Sequence, residues 1–376
     1  MLHHGRGPIL LSRYLALAWC GLVVYGSLHP FSGWRDTGVS PIAFLEGGWP
    51  RYWTTFDLVA NVAVYLPLGF FLALALSSLP GRFSGLLLAT LLAGSVSFCM
   101  ETLQTWLPSR VPSNLDLACN SFGGLLGALW AQAVGPRIFI RIAALEQRLV
   151  APIPHAELGL TLLGLWLLVP LSPEILLFGA GDLRQIFGLT GAMPFAADSF
   201  IVIEAGITAF NLLAVGLIVR MLCARLSTAY LVVPIFLLLC LAVATVAAAA
   251  LVSPGDAFAW LTPGARLGLI VGIAGLGVAM ALPATPRLII AALALMAGTV
   301  LVNMAPPNPY SAAALATWRQ GHFLNFNGLT RLVSAGWPFA GPYSPSNSAY
   351  RWFTAAALNR TTCGSITPIA TPCVTP

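Results

Sequence analysis

Lysine is absent from this chain and acids are scarce: all 18 basic residues are arginines, set against 12 Asp and Glu. Without lysine there is no protein-borne Schiff base, no Walker-type phosphate loop and no other lysine-dependent chemistry. Charged residues make up only 8% of the 376 positions, against roughly 25% in an average soluble domain, while 58% are hydrophobic. A water-soluble core has no use for that much apolar surface. The seven cysteines form no CxxC pair and no Cys/His ligand spacing, which argues against a zinc site. The net charge of +6 is scattered over many loops with no basic block, so nucleic acid is not an expected partner and membrane orientation accounts for the charge instead. What the chain has in abundance is long apolar runs, and their partner is a lipid bilayer.

About 20 apolar residues cross a hydrocarbon core of about 30 Å. Nine segments meet that measure, near 10 to 28, 56 to 78, 85 to 107, 114 to 135, 158 to 178, 200 to 219, 230 to 252, 266 to 282 and 288 to 305. The expected fold is therefore all-α, a polytopic transmembrane helical bundle of about nine spans. With the N-terminus inside, the inner loops carry nine arginines and the outer loops five, which follows the positive-inside bias. The first span follows Arg6 and Arg13 as a signal peptide would, but no Ala-x-Ala site follows it, so it reads as a retained helix.

Four regions are expected: a four-helix membrane domain over 1–135, a cytoplasmic amphipathic linker over 136–157, a second transmembrane unit over 158–305 and a polar extracytoplasmic tail over 306–376. The linker rests on Arg137, Arg141 and Arg148 interleaved with Ile138, Phe139, Ile142, Leu145 and Leu149. In an oxidising compartment, Cys363 and Cys373 in the tail are a candidate disulfide, the alternative being two unpaired thiols.

Polar side chains gather where spans two, three and four meet. Asp57, Asn61 and Tyr65 fall on one helix face, as do Ser97, Glu101 and Gln104, and again Asp116 and Asn120. At about 1.5 Å per residue, Asn61 and Asn120 lie roughly 6 Å inside their helix starts and Glu101 roughly 9 Å from its helix end. Isolated carboxylates at that depth cost several kcal/mol each, so they are expected to face one another, the amides and Arg110, which the short Pro108 to Ser113 hairpin holds at the same rim. Asp57 and Asp116 also suit helix N-terminal caps, and Asn61 and Asn120 suit interhelical hydrogen bonds worth about 1 kcal/mol each. Glu101 has no such alternative, because the dipole disfavours negative charge at the end of an outward-running helix. Gly123, Gly124 and Gly127 give span four a smooth packing face, and Pro67 should bend span two.

These residues resemble the VanZ-like family, named for a protein associated with teicoplanin resistance. The resemblance rests on Asp57-Leu-Val-Ala-Asn61 leading into Tyr65-Leu-Pro67-Leu-Gly69-Phe, then Glu101-Thr-Leu-Gln104, then Arg110, then Asp116-Leu-Ala-Cys-Asn120-Ser-Phe-Gly123-Gly124, over about residues 15 to 135. It implies a helical membrane domain of four or five spans with Asp57, Asn61, Glu101, Gln104, Arg110, Asp116 and Asn120 as signature residues. It implies a cell-envelope context and no particular reaction.

The leading expectation is a protein of the bacterial cytoplasmic (inner) membrane whose outer-leaflet polar cavity binds a lipid-linked or amphipathic envelope molecule such as a cell-wall precursor, with glycopeptide resistance as one consequence. Arg110, Asn61, Gln104 and Asn120 would bind and orient the head group, while Asp57, Glu101 and Asp116 shape the field or hold a divalent cation. One alternative is an intramembrane hydrolase or transferase with Glu101 as proton donor and Asp116 or Asp57 as its paired base. It lacks a visible nucleophile, and none of the five histidines is expected near the set. A proton-coupled transporter is the other. The sequence specifies no cofactor and no metal.

Overall fold

The computed structural model describes residues 7–50, 52–172, 174–184, 195–251, 254–306, 308–309 and 323–340. Among these residues the fold is all-α, with a single isolated bridge between Val150 and Cys223. The helices are α1 (Gly7–Leu28), α2 (Ala43–Glu46), α3 (Thr55–Ala75), α4 (Arg82–Gln104), α5 (Asn114–Leu149) and α6 (Ala156–Trp166), then α7 (Ala197–Leu222), α8 (Leu226–Leu251), α9 (Pro263–Ala279), α10 (Ala284–Met304) and α11 (Phe323–Ala340). Seven of them, α1, α3, α4, the first 22 residues of α5, α7, α8 and α10, are long and apolar enough to cross a membrane. The chain is thus a polytopic helical protein of membrane type.

Four elements differ from the sequence reading. The fifth span was expected to reach 178, but α6 stops at Trp166 and a single 3-10 turn, Val169–Leu171, follows. Pro170 has no N–H to continue an α-helical ladder. The eighth span, placed at 266 to 282, lies three residues earlier, running from its Thr262 cap and Pro263 to Ala279. The linker over 136–157 is not a separate helix, because α5 runs without interruption for 36 residues, from Asn114 to Leu149. The third span was placed to 107, whereas α4 ends at Gln104, which puts Glu101 in its last turn.

The first four spans pack around α3 and α5. Gly69 of α3 meets the backbone of Gly124, and Gly123 and Gly127 of α5 meet the carbonyls of Val62 and Leu66. A Cβ at 69, 123 or 127 would overlap main-chain atoms of the facing helix, so this contact requires glycine. α4 lies against α5, and α1 against α3, where the Trp19 indole donates to the Val64 carbonyl at 2.8 Å. α3 continues through Pro67, as membrane helices tolerate.

The later helices wrap α7, the most enclosed of the candidate spans. Gly264, Gly268 and Gly272 recur every fourth residue along one face of α9 and rest on Glu204, Ala205 and Ala209 of α7. Gly298 of α10 rests on Asn211. Beside this core Trp166 stacks on Phe178 with ring centroids 5.4 Å apart and meets Trp337 of α11 at 6.0 Å. The region expected to be a polar tail therefore contributes a docked helix. Trp337 Nε1 donates to the Leu162 carbonyl at 2.7 Å, the Gly181 amide donates to the Ser334 carbonyl at 2.7 Å, and Gly328 lies on the His29 imidazole. Cys363 and Cys373 lie outside the described residues.

Candidate functional site

The site forms at the end of the first helix group where α3 and α5 begin and α4 ends. Thr54 and Asp57 start α3 as a capping box: the Thr54 hydroxyl accepts from the Asp57 amide at 3.1 Å, and the Asp57 carboxylate accepts from the Thr54 amide at 3.1 Å and its hydroxyl at 2.6 Å. Ser113 starts α5, its hydroxyl accepting from the amides of Leu115 at 3.1 Å and Asp116 at 3.4 Å. Ser113-Asn-Leu-Asp116 carries the Ser-x-x-acid signature of such a start. Both aspartates therefore sit where helix dipoles favour negative charge.

One turn deeper, the helices are tied together by side chains. Asn61 Nδ2 donates to Asp116 Oδ1 at 2.8 Å, across α3 and α5, and Asp57 lies within electrostatic reach of the same carboxylate. Asn120 Nδ2 donates to Ser97 Oγ at 2.9 Å, across α5 and α4. The Tyr65 hydroxyl lies beside that serine but makes no aligned hydrogen bond, and the Asn120 Oδ1 and Thr102 Oγ1 atoms are likewise buried without a partner. Hydrogen-bonding capacity thus remains in the interior beneath the Asp57–Asn61–Asp116 rim.

Glu101 is 3% exposed, and its Oε2 accepts the Ser113 amide at 2.8 Å. The carboxylate at the C-terminal end of α4 is thereby joined to the N-terminal end of α5, whose dipole offsets the unfavourable one of its own helix. Arg110, in the intervening turn, lies within electrostatic reach of Glu101. One guanidinium nitrogen donates to the carbonyls of Gly26 and His29, both at 3.0 Å, so the arginine holds the end of α1. Burial lowers its pKa from the usual range, and Glu101 opposes that shift. Gln104 Nε2 donates to the Ser27 carbonyl at 3.1 Å, a second tie to the same chain segment.

The structure therefore brings Asp57, Asn61 and Asp116 together as one group, Asn120 with Ser97 as a second, and Glu101, Gln104 and Arg110 as a brace for the α4–α5 turn and the α1 exit. Sequence reasoning missed His29. Its carbonyl accepts from Arg110, while its imidazole touches α11, and its pKa is lowered by burial first and then by Arg110 and Arg331. The α1–α3 loop was missed too: the Arg35 amide donates to the Trp106 carbonyl at 3.0 Å, the Thr37 hydroxyl to the Thr105 carbonyl at 3.2 Å, and Asn114 Nδ2 to the Gly47 carbonyl at 2.8 Å. That loop and the start of α3 expose Trp34, Trp49, Tyr52, Trp53 and Phe56, amphipathic rings of the kind that sit at a membrane interface. Among the described residues no three His, Cys, Asp or Glu side chains gather in a way that would hold a metal ion.

An apolar helical bundle with polar ties concentrated at one end defines a membrane protein with a built polar site. A family model described as VanZ/LLP1 matches residues 14–135, the stretch that holds the whole site. Over that third of its length the chain is similar to that family, as its motifs indicated. No curated protein and no solved structure matches the chain.

Proposed function

We propose that the VanZ-like helices bind the head group of a lipid-linked or amphipathic cell-envelope molecule, with the α3 and α5 N-termini facing the outer leaflet of the bacterial cytoplasmic membrane and the N-terminus inside. One observation carries this reading: Asn61 fixes Asp116 beside Asp57 at a rim flanked by exposed aromatics, above buried and unpaired Asn120 and Tyr65 oxygens. Carboxylate and amide oxygens accept hydrogen bonds, so the chemistry suits a head group rich in hydroxyl or amine donors, such as the sugar of a lipid-linked precursor. The aromatic loop would lie along the lipid surface and meet the acyl or prenyl chain. Glu101 and Arg110 serve by position, holding the turn and the α1 exit that frame the rim. Sequestering an exposed precursor would change the response to glycopeptides that act on it.

The test is photo-crosslinking of purified protein in nanodiscs with a photo-activatable polyprenyl diphosphate sugar. Saturable labelling within α3 and α5 is expected, reduced at least fivefold in Asp116→Asn with the melting temperature unchanged. Labelling of that variant at the wild-type level would overturn the proposal.

A further inference from the structure

Two arginines meet without an acid at the end of the later helices opposite Glu204. α10 runs antiparallel to α7, with Leu301 on Gly206 and Gly298 on Asn211, and the same register brings Arg287, in the first turn of α10, level with Arg220, in the last turn of α7. The two lie within electrostatic reach of each other. Each guanidinium uses one terminal nitrogen on a nearby turn, Arg220 Nη1 donating to the Cys223 carbonyl at 3.3 Å and Arg287 Nη1 to the Leu282 carbonyl at 3.2 Å. Nε of each is enclosed and has no acceptor. Nη2 of each makes no hydrogen bond among the described residues and is not enclosed, so it is the donor left for an outside group.

Arg287 is 9% exposed and Arg220 is partly buried. Like charges held together at low dielectric are costly unless an anion joins them. Among the described residues the ion pairs are Arg184 with Asp182 and Arg331 with Glu174, so no acid supplies that charge. The end of α5 borders this region, the Leu149 carbonyl accepting from the Ala224 amide at 2.9 Å, yet its acid Glu146 lies within reach of another acid, Glu157 of α6. The start of α10 adds to the positive field. Pro283 stands at its N-cap with no side-chain cap, and Ala284 and Thr285 are exposed, so the free amides and the helix dipole favour an anion there.

We infer that the paired guanidinium groups of Arg220 and Arg287 and the uncapped start of α10 form a binding site for a phosphate group, carried by an anionic phospholipid or free in solution. Guanidinium forks match phosphate oxygens in geometry as well as charge. The site is separate from the one at α3 and α5 and does not depend on which way the chain faces.

Native mass spectrometry of the full-length protein in detergent counts bound phosphatidylglycerol and, in a parallel titration, phosphatidylcholine with the same acyl chains; equilibrium dialysis with labelled inorganic phosphate tests a soluble ligand. One saturable phosphatidylglycerol, held about fivefold or more tightly than phosphatidylcholine, identifies a lipid source. Saturable inorganic phosphate without that lipid preference identifies a soluble one. In either case Arg220→Gln and Arg287→Gln should each weaken binding about fivefold or more. Thr285→Glu, an exposed change that leaves both turn hydrogen bonds in place and sets an acid at the helix start, should do the same and decides the matter if the arginine variants do not fold. Arg225→Gln, which removes an exposed charge at the same end, should have a clearly smaller effect. Absence of saturable binding for both ligands, unchanged binding in a folded Arg220, Arg287 or Thr285 variant, or an equal loss in Arg225→Gln, as a diffuse positive field would give, would each overturn the assignment.

Discussion

The helices before and after residue 150 solve the same packing problem and spend their polar groups differently. In the first group, glycines of α3 and α5 let two backbones touch; in the second, the fourfold-spaced glycines of α9 do the same against α7. Within a membrane, apolar burial gives helices no reason to prefer one another over lipid, so close contact has to come from small residues and interhelical hydrogen bonds. The first group then places its polar side chains as ties between helices at one end, Asn61 to Asp116 and Asn120 to Ser97. The second buries Glu204 between helices, one oxygen accepting from the Thr262 hydroxyl and the other packed against Gly264 at the start of α9. One shared means of assembly thus supports a braced rim in one region and a carboxylate enclosed at a helix start in the other.

The strongest way to break this comparison is to remove the glycine contacts. Gly127→Leu and Gly268→Leu should each destabilise the protein at or above the upper end of the roughly 1–3 kcal/mol typical of overpacking. In both cases the added side chain meets main chain, the Leu66 carbonyl for Gly127 and the Ala205 carbonyl, 2.6 Å from a Cβ, for Gly268. Steric-trap unfolding in bicelles measures the loss. If one variant kept wild-type stability, the two contacts would not be equivalent.

A smaller effect sharpens the contrast in how the two buried acids are used. Glu101→Ala leaves the Ser113 amide without its acceptor and should cost roughly 1–3 kcal/mol. The loss should appear first as faster hydrogen exchange over residues 105–113, with Glu101→Gln restoring most of the protection. Unchanged exchange in the alanine variant would remove the bracing role.

The smallest effect concerns the contact that joins the two regions. His29 packs against α11, and burial, Arg110 and Arg331 lower its pKa from 6.5 in the folded state. Above about pH 6.5 the imidazole is neutral in both folded and unfolded chains and contributes no pH dependence. As pH falls below that value the unfolded chain takes up the proton first, so stability declines toward the folded-state pKa. Hydrogen exchange over residues 328–340 should therefore quicken between pH 7 and pH 5 in the wild type, and His29→Gln should flatten that dependence. A pH profile shared by both proteins would exclude His29 as its source.

Much of the site was legible because its logic is local. Asp57 and Asp116 stand three residues after Thr54 and Ser113, and a helix start can be read from that spacing alone; the structure gives Asp57 both that capping role and a place beside Asp116. Glu101 was singled out because no cap of its own helix explains it; in the structure it accepts from the amide that starts the next one. Its partner was not, because the Ser113 amide reaches it only once the turn at 105–113 has folded back. His29 escaped notice for the same reason, since 81 residues separate it from Arg110. The overrun past Gly135 in α5 shows that apolar length and helix length are different quantities: hydropathy marks where lipid ends, and hydrogen bonding continues until the backbone meets a reason to stop.

Composition and periodicity, which are properties of short stretches, determined that this protein is helical, belongs in a membrane and carries one family's polar signature over its first third. Which donor meets which acceptor was decided by the tertiary structure. A carboxylate at low dielectric is stable or costly according to neighbours brought by other helices, and no single stretch of chain contains them.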